Sequence, residues 1–122
     1  MALALAVILA ACGGGAGVSP TPPPTQAPGQ SITTPQQAAA RVGETDQRFL
    51  GIAEQSAALI GASAWWTSAM APGGFRITFT SGWGDCPAGC INKHNWVFEV
   101  TASGAVTLAG ETGDPLPGGA LQ

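Results

Sequence analysis

At 122 residues, with a formal net charge of −3 and 9% charged side chains, the chain has room for one domain and is a poor match for nucleic acid. Its four basic residues, Arg41, Arg48, Arg76 and Lys93, are too few and too scattered to neutralise a row of phosphates. Every charged side chain lies after residue 40, which separates an uncharged first third from a mildly acidic remainder.

Residues 2–11 form an unbroken apolar run, far short of the ~20 residues that span a bilayer as a helix. The run reads as the hydrophobic region of an export signal. It lacks a Lys or Arg start, which leaves the natural beginning of the reading frame open. Its end, Leu9-Ala10-Ala11-Cys12, resembles the bacterial lipobox. That resemblance implies a thioether-linked diacylglyceryl group on Cys12, cleavage before it, and acylation of the new amino terminus by a fatty acid such as palmitate. One acyl chain binds a membrane only marginally, whereas two or more anchor it. The expected location is therefore extracytoplasmic, with the membrane as partner through the lipid on Cys12. Gly13 is not the Asp that retains such proteins at an inner membrane, so in a host with two membranes the outer one is expected.

Residues 13–33 form a tether. A Gly run is followed by Ser19-Pro20-Thr21-Pro22-Pro23-Pro24-Thr25, with nothing that could nucleate a core. Its Pro-rich half favours polyproline II, at about 3.1 Å per residue. The folded domain is expected over residues 34–115, followed by a flexible tail at 116–122.

Thr34-Pro35-Gln36-Gln37 carries the signature of a helix start. Thr34 is the N-cap, Pro35 takes the first helical position, and Gln37 is placed for a capping box. The helix is expected to end at about Val42, where Gly43 interrupts it, with a second helical stretch over 45–53. Four strands follow by alternation. The first, over 63–70, sets Trp65 and Trp66 on opposite faces. The second, over 75–80, sends Phe75, Ile77 and Phe79 inward and Arg76, Thr78 and Thr80 towards water. The third, over 96–101, turns at Ala102-Ser103-Gly104 into the fourth, over 105–109, with Val106 and Leu108 inward. An N-terminal helix on a four-stranded antiparallel meander is the expected architecture, α+β in two layers. Ala39, Val42, Phe49, Leu50 and Ile52 are the candidates to cover the apolar face.

Between the second and third strands, residues 82–95 hold the most distinctive stretch. Once Cys12 is lipidated, Cys86 and Cys90 are the only thiols left, in an oxidising compartment, and Pro87 and Gly89 suit a tight turn between them. A disulfide is the favoured reading. Two others remain open. Cys86, Cys90 and His94 recur at a spacing of four and, with Asp85, could ligate a metal such as zinc. Thiol redox chemistry is the other, although two intervening residues are usual and here there are three. Nothing else suggests a catalytic set or a resident cofactor, and no enzyme activity is expected. Asp85 is expected to accept backbone N–H bonds from the Cys turn. Trp65, Trp66 and Trp83, with Asp85, Lys93 and His94, are the candidate binding residues around that loop.

The run Trp83-Gly84-Asp85-Cys86-Pro87-Ala88-Gly89-Cys90, followed by a Trp-rich strand and a Gly hairpin, resembles a group of bacterial exported lipoproteins to which no activity is assigned. More loosely, the helix and the meander ending in Trp96-Val97-Phe98-Glu99-Val100 and Gly104-Ala105-Val106 are similar to PepSY-type domains of secreted peptidase propeptides and lipoproteins. That similarity implies binding or restraint of a partner protein such as a protease. The expected role is a membrane-tethered binding module for an envelope protein or peptide.

Overall fold

A computed structural model describes residues 30–118, together with Gly14, Gly15 and Gly17. Cys12, the apolar run before it, most of the tether and residues 119–122 lie outside the described residues. Helix α1 (Pro35–Thr45) leads through a 3₁₀ turn (Gln47–Phe49) to β1 (Ala64–Ala71) and β2 (Gly74–Trp83). A second 3₁₀ turn (Cys86–Ala88) precedes β3 (Asn92–Thr101) and β4 (Val106–Gly113). The strands form one antiparallel sheet in the order β1-β2-β3-β4, with α1 against one face. This is the expected two-layer α+β meander. No helix among the described residues is long and apolar enough to cross a membrane.

The start of α1 is built as its sequence dictates. Thr34 Oγ1 accepts from the Gln37 N–H at 3.3 Å, and Gln37 Oε1 accepts from the Thr34 N–H at 3.1 Å, which closes the capping box. Just before it, the Ile32 N–H donates to the Ala102 carbonyl at 2.8 Å and the Ile32 side chain is buried. The packed unit therefore takes in Ile32, and at its far end Leu116 packs against the same core.

Gly43 does not end the helix. The chain stays helical to Thr45, and the Asp46 N–H still bonds to the Val42 carbonyl at 2.8 Å. Gly43 instead makes room for the returning chain, since a Cβ at this position would stand 3.1 Å from the Leu50 Cα. The helix expected over 45–53 shrinks to the 3₁₀ turn. Asp46 caps that turn by accepting from the Arg48 N–H at 3.1 Å, and Gly51, at φ +78°, turns the chain away. This geometry drives Phe49 into the core and leaves Leu50 63% exposed, so Leu50 does not help to cover the sheet. Ala39 and Val42 are buried as expected, and Ile52 packs at the margin.

Phe49 lies against Phe79, Phe98 and Trp96, with ring centroids 4.7, 5.1 and 5.4 Å away. The inward rows are Trp66 from β1, Phe75, Ile77 and Phe79 from β2, and Trp96, Phe98 and Val100 from β3. On β4, Val106 is half-buried, but Leu108 is 47% exposed although it faces the same side, because β4 is the sheet edge. The register shifts there: Phe98 pairs with Leu108 and Val97 with Gly110, which leaves Ala109 as a bulge. After the bulge, Glu111 pairs with Trp96 on the helix side of the sheet.

Two predictions follow from this core. Replacing Phe49 by Ala is expected to cost about 3–5 kcal/mol, a large share of a small domain's total, read as a fall in urea midpoint at unchanged slope. The second concerns Asp46, whose carboxyl the side-chain hydrogen bond from Arg48 holds below the usual carboxylate range. A depressed carboxylate stabilises the fold above the unfolded-state value of about 3.9 and loses that contribution as the pH falls through the folded value. Wild type should therefore lose more stability than Asp46→Asn between about pH 5 and pH 3 in matched urea titrations. Partial exposure of the pair keeps this difference small.

Candidate functional site

β2 and β3 run on into both ends of the stretch expected as a loop. Ser81 pairs with His94 and Trp83 with Asn92, so the connection contracts to residues 84–91. Two contacts explain the extension. Thr80 Oγ1 donates to Asn95 Oδ1 at 2.7 Å across the strands, and Thr80 is buried rather than turned to water as the alternation implied. The second contact is at Gly82, where the absent side chain lets Cys90 lie on the sheet. A Cβ there would stand 2.6 Å from Cys90 Sγ and 2.9 Å from its Cβ.

Cys86 and Cys90 are joined by a disulfide. Within the turn, the Gly89 N–H donates to the Cys86 carbonyl at 2.9 Å and the Cys90 N–H to the Asp85 carbonyl at 3.0 Å. Asp85 thus holds the turn through its backbone, and its carboxylate makes no cap bond, contrary to the expected role. Gly89 and Cys90 both take left-handed backbone, at φ +109° and +53°. For Cys90, which carries a Cβ, that conformation costs about 1–2 kcal/mol, to be offset by the closure and packing of the turn. Closing a ring of this size removes unfolded-chain entropy worth about 2 kcal/mol.

The disulfide sits on the sheet face turned away from α1. Gly82 and Thr80 belong to that face by register, as do Trp65, paired with Thr80, and Lys93, paired with Gly82. The segment after the 3₁₀ turn closes the arrangement. Glu54 forms a parallel bridge to Trp66 along the β1 edge, and residues 55–62 wrap round that edge until the Ala62 carbonyl lies 3.7 Å from Cys90 Sγ. The result is a concavity of about 170 Å³ walled by the disulfide, Trp65, Lys93, Gln55, Ser56 and Leu59. A second hollow, of about 220 Å³, lies between α1 and the Leu50 turn and is lined by no charged residue.

Electrostatics single out Lys93. Arg41, Arg48 and Arg76 each hold a carboxylate, those of Glu44, Asp46 and Glu99, at 2.9, 2.7 and 2.8 Å. Lys93 is the one basic side chain among the described residues without an ion pair; its backbone is engaged by Asp114, the N–H donating to Oδ2 at 2.9 Å and the carbonyl accepting from the Asp114 N–H at 2.8 Å. No acidic residue lines the concavity.

The other candidates separate from this group. Trp66 is core, 5% exposed, and offers no surface. Trp83 is half-buried at a register position on the helix side, away from the disulfide. His94 also lies on the helix side, its ring centroid 4.5 Å from that of Trp96. Its Nδ1–H donates to the Asp114 carbonyl at 2.9 Å, while Nε2 stands 3.6 Å from Glu111 Oε2, beyond hydrogen-bond reach. His94 therefore does not join Cys86, Cys90 and Asp85, and no cluster of three metal-ligating side chains occurs among the described residues. The reason is strand parity, because continuing β3 back to Asn92 puts His94 and Lys93 on opposite faces. Gln55, Ser56 and Leu59 were not marked by any local pattern; the Glu54 bridge brings them to the site.

No family model, curated protein or solved structure matches the chain.

Because Gly82 seats the disulfide, Gly82→Ala is expected to cost about 1–3 kcal/mol by overpacking and to displace the turn. In a Cys86→Ser/Cys90→Ser background the same substitution should cost clearly less. Urea midpoints of the four proteins form the cycle, and additive effects would contradict the contact.

Proposed function

We propose that the chain is a membrane-tethered, extracytoplasmic binding module whose recognition surface is the sheet face carrying the disulfide turn, Trp65 and Lys93. The observation that carries this reading is the convergence there of a stiffened turn, a half-buried indole and an unpaired ammonium group. Aromatic and cationic groups on a rigid frame suit binding, since little freedom is lost when a partner docks.

The placement of the tether supports the same role. Ile32 enters beside Ala102, which in turn bonds to Gly73, so the chain arrives at the hairpin end of the sheet. The disulfide turn lies at the other end of the ten-residue β2, about 30 Å away at ~3.3 Å per residue. With lipid on Cys12, the recognition surface would lie at the end of the domain remote from the attachment, open to an envelope protein or peptide. The likeness to PepSY-type domains points to the same partner class.

The test uses the full chain in living cells, with a photo-crosslinking residue at Pro87 or, as control, at Thr107 on the opposite edge. An adduct of discrete mass is expected from position 87 alone, in the membrane fraction, and is expected to fade in the Cys86→Ser/Cys90→Ser protein. Equal labelling from both positions would remove the assigned surface. A Cys12→Ala protein that still fractionates with membranes would remove the lipid anchor.

A further inference from the structure

The chemistry of the concavity narrows what it accepts. In a protein of net charge −3, three of four basic side chains are neutralised by neighbours, and the fourth is kept at the rim of a hollow that has no carboxylate in its lining. An ammonium placed this way attracts an anion. The surrounding wall is mixed: the indole of Trp65, the Leu59 side chain and the disulfide offer apolar contact, while Gln55 and Ser56 are able to hydrogen-bond. At about 170 Å³ the hollow is smaller than the ~300–1,000 Å³ of sites that enclose whole small-molecule ligands. It fits a single residue-sized group.

We propose that this concavity binds a carboxylate carried on an apolar body of residue size, with the carboxylate on Lys93 and the body against Trp65 and the disulfide. The free C-terminal residue of a peptide has this chemistry, and so does a free N-acylated amino acid. Phosphate esters fit less well, because a doubly charged group calls for clustered or bidentate donors and only one cation is present. The assignment rests on the reading of this face as the recognition surface, and it adds the class of group recognised.

The experiment follows the Trp65 indole N–H resonance of the full, oxidised chain, assigned by its loss in Trp65→Phe, with the buried Trp96 indole as a folding control. The probes are N-acetyl-leucine, its amide, and acetyl-Ala-Ala-Ala-Leu as free acid and as amide. Both acids are expected to shift Trp65 saturably, with Kd on the order of 1 mM, and both amides at least about tenfold more weakly. Lys93→Met should bring the acids down to the level of the amides without changing the amides, and Lys93→Arg should restore most of the difference. Added salt should weaken the acids alone. Tighter binding of the peptide acid than of N-acetyl-leucine assigns the group to a chain end; equal binding assigns it to a free acid, and either supports the carboxylate site. Acids and amides shifting Trp65 alike, or none shifting it at tens of millimolar, overturns it. Crosslinking from position 87 that persists without acid binding leaves the surface standing and removes the carboxylate, whereas acid binding without crosslinking does the reverse.

Discussion

A sheet of four strands exposes two faces to water, and burying one of them here depends on Phe49. The ring is 2% exposed and touches Phe79, Trp96 and Phe98 at once, which ties the β2 and β3 rows to the segment leaving α1. Helix α1 alone is too slight for the task, since its buried face consists of Ala38, Ala39, Val42 and Gly43. Small residues bring a helix close to a sheet but bury little area, and the aromatic ring fills the remaining volume. The position of Phe49 follows from Asp46 capping the 3₁₀ turn, with Arg48 bound back to the same carboxylate.

The parts of the fold that could be read from sequence are those fixed by near neighbours. Thr34, Pro35 and Gln37 specify a helix start within four residues, and the alternation of Phe75, Ile77 and Phe79 fixes a strand and its inward face. The departures arise where distant chain decides. Gly43 is a helix breaker by propensity, yet here it serves the close approach of Leu50, a contact that no local window contains. Thr80 follows the outward parity, but Asn95 and the folded-back turn bury it. At the site, the disulfide was legible from counting thiols. The separation of His94 from it was not, because that depends on how far β3 extends. Once residues 92–95 are extended strand, alternation sends neighbouring side chains to opposite faces.

This parity organises the two sides of the domain differently. The helix side carries the aromatic core and, at its end, His94 with Glu111 and Trp96. The other side keeps one turn of chain pinned to it by sulfur, with Lys93 and Trp65 beside it. The aromatic core and the disulfide turn thus occupy separate faces of the same strands, so a change in one need not disturb the other. Gly82 is the exception, as a core-quality contact placed under the disulfide turn.

The bulge at Ala109 governs how copies of the domain could meet edge to edge. An open edge strand with unpaired N–H and C=O groups is a template for another chain. β4 has no charged side chain between Val106 and Gly110, so charge gives that stretch no protection. The extra residue breaks the ladder midway and increases the local twist, leaving only short runs of straight edge on either side. The same irregularity that brings Glu111 to the helix side would therefore also hinder edge-to-edge stacking and the growth of fibres from it.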